Sequence, residues 1–367
     1  MNRGLADSLY RQEVHRIIEK NGGCPILIYP SVIRWNHPLF QRPHHMLREM
    51  ARQGVMVFFC TPEPDNDGVI GFKQIFPHFY LCQSMSCLSS LKYEPVWIWI
   101  GWTAARPVLS FFEKAHSIYE LIDELKLFAF YCKQMEIDHR WLLETSDIVM
   151  ASADRLRDEM SCVRKDVLLV TNGVALEDFM PDQKGHIPVD MKDILSRGKA
   201  VVGYYGAISP WLDYGLIRAV SQILPDMEFV FIGPDYEGAS AHFPAAHNVH
   251  WLGPKPYNDL KYYLACFDVA TIPFRIDQVT HAVSPLKLFE YMAGGKPVVA
   301  SDLMELQKYS EVLRAGTPSE WADKILEAIR LGKSPEVAGS LRRTAEKNSW
   351  RRKVEQVLAS MSKANLI

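Results

Sequence analysis

The chain has no CxxC pair. Its seven cysteines are scattered singly and their total is odd, which argues against a disulfide framework and for the reduced thiols of a cytoplasmic protein. Charge of one sign is not in excess either. Forty-one Lys and Arg face 43 Asp and Glu for a net −2, so the broad basic footprint of a nucleic-acid binder is missing and no nucleic-acid partner is expected. Long apolar runs are absent too. The most apolar window, PVWIWIGW at 95–102, falls far short of the roughly 20 residues that cross a bilayer, and it reads as a buried strand. The opening MNRGLADSLYRQEVHRIIEK is charged throughout and does not read as a signal peptide. No G-x-G-x-x-G follows PILIYP or KAVVGYYG, which sets aside a Rossmann dehydrogenase.

What is present is alternation. With 367 residues the chain is long enough for two domains. Strand signals at 25–30, 55–60, 95–100, 117–122, 147–151 and 167–171 form a first set, with a helical pattern in HHMLREMARQ closed by Gly54. A second set starts afresh at 199–206 and continues through 228–235, 248–253, 267–274 and 297–301. Between them EDFMPDQKGHIPVDMKD is polar and weakly patterned, as a linker would be. The expected architecture is α/β, with two doubly wound Rossmann-like domains. Residues 1–180 form the first, 181–198 the linker and 199–340 the second, and a helix over 341–367 folds back on the first. Ligands are expected in a cleft between them, at strand C-terminal ends.

The most informative stretch is SPLKLFEYMAGGKPVVAS, residues 284–301. Ser284 suits a helix N-cap and Pro285 the first helical position, which makes Lys287 the third helical residue. A cation there opposes the helix dipole at a cost of roughly 0.3–1 kcal/mol. A phosphate docked on the helix start would reverse the sign, accepting the free N–H groups and pairing with the lysine. Glu290 follows on nearly the same face, about 4.5 Å deeper, where a carboxylate could accept hydrogen bonds from ribose. An ordinary exposed Lys287–Glu290 pair on an amphipathic helix is the competing interpretation.

This run, with FDVATIPF upstream, resembles the C-terminal signature of GT-B-fold glycosyltransferases, the retaining family 4 in particular. The similarity extends to VVGYYGAI, FVFIGPD, NVHWLGPKPYNDLKYYLACFD, TNGV and NSWRRKVEQVL, and YPSVIRWNHPLFQRPHHMLREMARQG is similar to the first loop and helix of bacterial polysaccharide glycosyltransferases, including teichuronic-acid types. The resemblance implies a nucleoside-diphosphate-sugar donor, transfer with retention, and a saccharide or lipid-linked acceptor. It implies donor contacts at Gly206 and Ala207, where phosphates approach the backbone. Trp251, Leu252 and Gly253 would hold the base, Ser284 and Leu286 would lie at the helix start, and Glu290 would bind ribose. Two departures stand out. Position 282 is Ala where the family carries the first Glu of E-x7-E, and GAISPWLDYG lacks the familiar Arg…Lys diphosphate pair. Arg275 and Lys287 would then supply the positive charge, helped by domain closure that excludes water. No metal or other cofactor is expected.

In the first half, Trp35, Arg42, His44 and His45 are candidate acceptor contacts, and His44-His45 makes a poor metal pair because neighbours on a helix point about 100° apart. Asp123 in IDEL ends a strand, as a general base near the acceptor hydroxyl or as the N-cap of a following helix. Asp65-Asn66-Asp67 mimics the metal-binding DxD of GT-A enzymes but reads as a solvated loop. Arg342, Arg343, Lys347, Arg351, Arg352 and Lys353 form a basic stretch that could meet anionic lipid at the inner membrane face or simply face solvent. Two other functions fit the same fold: a nucleotide-sugar epimerase, and a catalytically silent sugar-nucleotide-binding module.

Overall fold

The computed structural model describes residues 3–364 apart from 129, 181–185, 278–279 and 281–283. Ala282 and the start of the expected linker therefore lie outside the described residues. The chain divides into two compact units. One comprises 1–37, 41–171 and 353–367, and the other 38–40 and 172–352. The division falls between Thr171 and Asn172, ahead of 181–198, and Lys192–Ser196 within that stretch is helical.

The first unit is built on eight strands: β1 Ile26–Pro30, β2 Met56–Cys60, β3 Phe72–Phe76, β4 Phe79–Cys82, β5 Val96–Ile100, β6 Ala115–Leu121, β7 Ile148–Ala151 and β8 Leu168–Leu169. Their order is β3-β4-β2-β1-β5-β6-β7-β8, parallel except for the β3–β4 hairpin. MVFFC and VWIWI are buried at every position, as strands covered on both faces must be. β3 and β4 are additions that periodicity did not signal, because each is short and they turn through Pro77 and His78, the latter at φ 63°.

The second unit carries β9 Ala200–Tyr205, β10 Met227–Ile232, β11 Val249–Trp251, β12 Val269–Ile272, β13 Val298–Ser301 and β14 Val312–Ala315. All pair in parallel in the order β11-β10-β9-β12-β13-β14. Each unit thus winds outward in two directions from a central pair, β1/β5 and β9/β12. Such reversals leave a crevice at the carboxyl ends of the strands.

The polar first loop is held from inside. Asp67 is buried, and its carboxylate accepts the N–H groups of Trp35 and Asn36 at 2.8 Å and the Thr61 hydroxyl at 2.5 Å. The expected solvated loop at 65–67 is thereby corrected. It is a short helix, Pro64–Asp67, whose last residue is a structural anchor, while Asp65 and Asn66 stay exposed.

The acceptor contacts foreseen on helix Arg42–Arg52 are also corrected. Arg42, His44 and His45 are buried. The Arg42 guanidinium donates to one Glu120 oxygen at 2.8 and 2.6 Å and to the Val170 carbonyl at 2.6 Å, while Trp99 Nε1 donates to the other Glu120 oxygen at 3.1 Å. His44 Nδ1 accepts from Gln41 N–H, and burial holds its pKa down at about 4, so the ring is neutral. Trp35 packs edge-on against Phe59 and tilted against Phe79. In the basic C-terminal stretch Lys353 turns inward and donates to Thr171 Oγ1 at 2.7 Å, whereas Arg342, Arg343, Lys347, Arg351 and Arg352 are exposed.

Arg42→Met should therefore strand the Glu120 charge and cost about 3–5 kcal/mol of stability. Urea denaturation of the variant measures this. A wild-type midpoint together with a weakened acceptor interaction would return Arg42 to the surface role.

Candidate functional site

The site is assembled by the loops at the carboxyl ends of β9, β10, β11 and β12 and by helix Leu286–Ala293. Pro285 is the residue flanking that helix and Leu286 its first member, so Lys287 is second rather than third, and Ser284 lies outside. The Ser284 carbonyl accepts Asn172 Nδ2 at 2.7 Å, which ties the approach to the helix to the residue after Thr171. Gly294 closes the helix and Gly295 turns away at φ 71°.

Lys287 does not run out into solvent. Its Nζ lies 5.2 Å from the Tyr204 ring centre and 4.9 Å from that of Phe274, within cation–π range of both. It rests against Gly206, the residue after β9. A Cβ built there would meet Lys287 Cε at 2.7 Å and the Tyr204 hydroxyl at 2.9 Å, and the glycine's φ of 142° is itself unfavourable for other residues. Gly233, after β10, is required for the same packing, since a Cβ there would fall 1.7 Å from the Gly206 carbonyl oxygen. Burial lowers the lysine pKa to about 8, offset partly by Glu290. The residue as a whole is only partly buried. Among the described residues no carboxylate lies within ion-pair distance of this ammonium.

Glu290 sits one turn deeper, 3% exposed. Its pKa is raised to about 8, chiefly by burial, with Tyr205 and Lys287 pulling it down and Asp178 pushing it up. The Tyr205 hydroxyl has no partner at hydrogen-bonding geometry, although it is near enough to influence that carboxyl. Tyr205 N–H donates to Tyr291 Oη at 3.0 Å, which fixes β9 to the helix. Tyr205, Tyr291, Phe274 and Asn172 were not foreseen as site residues. Only their placement at strand ends and on the helix could have signalled them.

The remaining candidates fall on the same edge of the sheet. Ala207 is buried and its carbonyl accepts the Tyr204 hydroxyl at 3.0 Å. Trp251 is 42% exposed and its indole N–H donates to the Gly233 carbonyl at 3.1 Å. Leu252 N–H donates to Phe231 O, and the Gly253 carbonyl accepts Gly233 N–H at 2.9 Å. Arg275 is exposed, its guanidinium on the Pro210 carbonyl at 3.5 Å. In the first unit Asp123 follows β6 and Glu124 pairs with Arg155 at 2.7 Å. Asp123 caps no helix, because Leu125–Leu127 is a 3-10 turn and helix Lys133–Thr145 starts after Cys132. Solvent reaches Asp123, yet desolvation by the surrounding protein raises its carboxyl pKa, with Arg42 opposing. Among the described residues no three His, Cys, Asp or Glu side chains gather to hold a metal ion.

Residues 199–330 match the family described as glycosyl transferases group 1. Over 174 residues the chain is 31% identical to Bacillus subtilis TuaH, a protein named as a teichuronic acid biosynthesis glycosyltransferase, and the alignment covers 46% of this chain and 43% of that one. The chain thus spans under half the length of this curated relative. Among solved structures it resembles a sucrose-phosphate synthase from Thermosynechococcus elongatus, with 16% identity, a TM-score of 0.69, and coverage of 93% of this chain and 98% of that. It also resembles Anabaena HepE in complex with UDP and glucose, with 16% identity, a TM-score of 0.68, and coverage of 93% and 100%. The fold is accordingly GT-B, with two Rossmann-like units.

The second unit holds two titratable groups whose charged forms folding disfavours. Glu290 titrates near 4.5 unfolded and about 8 folded, so its contribution to stability falls as pH rises across that window. Lys287 titrates near 10.5 unfolded and about 8 folded, so its contribution improves as pH rises from 8 to 10.5. Relative to wild type, a Lys287→Met, Glu290→Gln double variant should gain most near pH 8 and less at pH 5 or 10. Chemical denaturation at the three pH values reads this, and a pH-independent difference would refute the burial described.

Proposed function

We propose that the protein transfers a sugar from a nucleoside-diphosphate sugar to a saccharide or lipid-linked acceptor, with retention of configuration, in cell-surface polysaccharide synthesis. The observation that carries this reading is the Lys287 ammonium, held at Gly206 against two rings with no carboxylate partner among the described residues. An anion is the missing partner. A diphosphate set between the glycine at the end of β9 and the helix start would accept backbone N–H groups and neutralise the lysine. Glu290, one turn below, is placed for ribose hydroxyls, and Trp251–Gly253 offer a ring face and backbone groups for a base.

In this reading catalysis is stabilisation of the leaving group. As the glycosidic C–O bond breaks, charge grows on the terminal phosphate, and Lys287 and the helix N–H groups meet it in place, without a metal ion. Arg275 adds positive charge on the same edge. Asp123, with its raised pKa, is assigned to the acceptor hydroxyl as general base. The UDP and glucose bound in the similar HepE structure and the naming of TuaH support a UDP-sugar donor and an envelope polysaccharide product. No helix among the described residues is long and apolar enough to cross a membrane, and we place the reaction at the cytoplasmic face of the envelope.

Calorimetric titration with UDP tests the site. Lys287→Ala should weaken binding by more than about 1.5 kcal/mol, the range of a charge-assisted contact, without unfolding the protein. Because the free lysine titrates near 8 and the bound one higher, wild-type affinity should hold below pH 8 and fall above it, with proton uptake on binding at pH 8.5. Equal affinity in both proteins, or no proton linkage, would contradict the assignment. Release of UDP from a panel of UDP-sugars then identifies the donor.

A further inference from the structure

A second concave site lies beside the first and shares only Arg275 with it. It is a pocket of about 380 Å³ lined by Pro210, Leu212, Asp213, Tyr214, Gly215, Arg218, His242 and Arg275. Its walls come from the loop after β9, the first turns of helix Tyr214–Ile223, the turn Ala239–His242, and the residue that follows Phe274. Phe274 is the ring that faces Lys287 Nζ, and its backbone bridges to that of Leu212 in the pocket wall, so the two sites are neighbours.

The pocket gathers cationic groups with no internal use for them. Arg218 and His242 are exposed, and neither has an ion pair among the described residues. Among the described residues the Arg275 guanidinium reaches only the Pro210 carbonyl. Its backbone is pinned by N–H donation to Trp211 O at 2.8 Å and by acceptance of the Thr280 hydroxyl at 2.5 Å, so the residue is aimed rather than loose. Two carboxylates lie nearby, and each is held by neutral donors that leave its charge in place. Asp213 accepts Leu216 N–H at 2.8 Å as the helix cap, and Asp235 accepts Ser240 N–H and its hydroxyl. His242 is braced against the Tyr214 ring at 5.6 Å, and the Tyr214 hydroxyl donates to Ser209 O. Two guanidinium groups and an imidazole therefore share one opening with a single lining carboxylate, Asp213, which leaves positive charge in excess whenever the imidazole or both guanidinium groups are counted against it.

We infer that this pocket binds an anionic substituent, a carboxylate or a phosphate, carried by one of the two sugar substrates. This deepens the proposed function and rests on it for the identity of the carrier. Two planar guanidinium groups suit the paired oxygens of such groups, and a neutral hexose would leave them unused. The pocket adjoins the lysine taken to hold the diphosphate, so a charged group on the donor sugar would reach it first. An anion on the second substrate is the other source.

Binding of UDP, UDP-glucose, UDP-glucuronate and inorganic phosphate by wild type, Arg218→Gln and His242→Gln separates the cases, each protein being checked for an unchanged melting temperature. If the anion is borne by the donor, wild type should prefer UDP-glucuronate to UDP-glucose by about fivefold or more, and Arg218→Gln should abolish that preference while UDP binds as before. If it is borne by the second substrate, no such preference appears, but UDP-saturated wild type should bind inorganic phosphate and Arg218→Gln should not. Absence of both effects overturns the pocket. Failure of UDP to bind any of the proteins would overturn the donor assignment instead, and phosphate binding to the ligand-free protein would still report on the pocket.

Discussion

A lysine ammonium that the protein desolvates, with no counter-ion among the described residues, organises the second unit. Burial alone would move Lys287 toward its neutral form, and its position at the second residue of a helix adds the repulsion of the dipole. The ring faces of Tyr204 and Phe274 return only part of that cost, about 0.5–2 kcal/mol each. Glu290 does not complete the balance, since burial favours its protonated form. Such a site is unfavourable when empty and favourable when an anion enters. This is the thermodynamic condition for tight recognition of a diphosphate, and for tighter recognition still as that diphosphate gains charge on leaving.

The backbone around the lysine is shaped by the same requirement. Two glycines at successive strand ends, Gly206 and Gly233, let the β9 and β10 loops approach more closely than any side chain allows. Tyr291 reaches from the helix to the N–H of Tyr205, so the element carrying Lys287 is keyed to the strand carrying Gly206. A shift of either would move both. Parallel pairing then brings Gly253 and Arg275 to the same edge, because every strand of the sheet points the same way.

What was legible in the sequence follows from this division. Runs buried at every position, such as VWIWI and MEFVFI, announce strands because no other element fits a short continuous apolar run between turns. Phe72–Phe76 and Val312–Ala315 were silent, being short and only partly buried. The helix over 286–293 was legible with its lysine and glutamate, while its start was misplaced by one residue because Pro285 takes the flanking position. The polar first loop misled most. Arginine and histidine suggest a surface, and the partner that draws Arg42 inward, Glu120, lies 78 residues away. Nothing local marks Asp67 as the anchor of residues 35 and 36 either.

Two buried cation–carboxylate combinations therefore have opposite meanings in one chain. Arg42 and Glu120 are matched: the guanidinium spends its donors on a carboxylate and a carbonyl, and the carboxylate takes a further indole N–H. Such a pair contributes order and asks for no ligand. Lys287 and Glu290 are three residues apart on one helix, and burial displaces their titrations toward one another despite the attraction between them. The distinction is whether the protein itself completes the hydrogen bonds. Where it does, a buried charge belongs to the architecture. Where it does not, the deficit carries a stability cost, and in the function proposed above a substrate group supplies the missing oxygens.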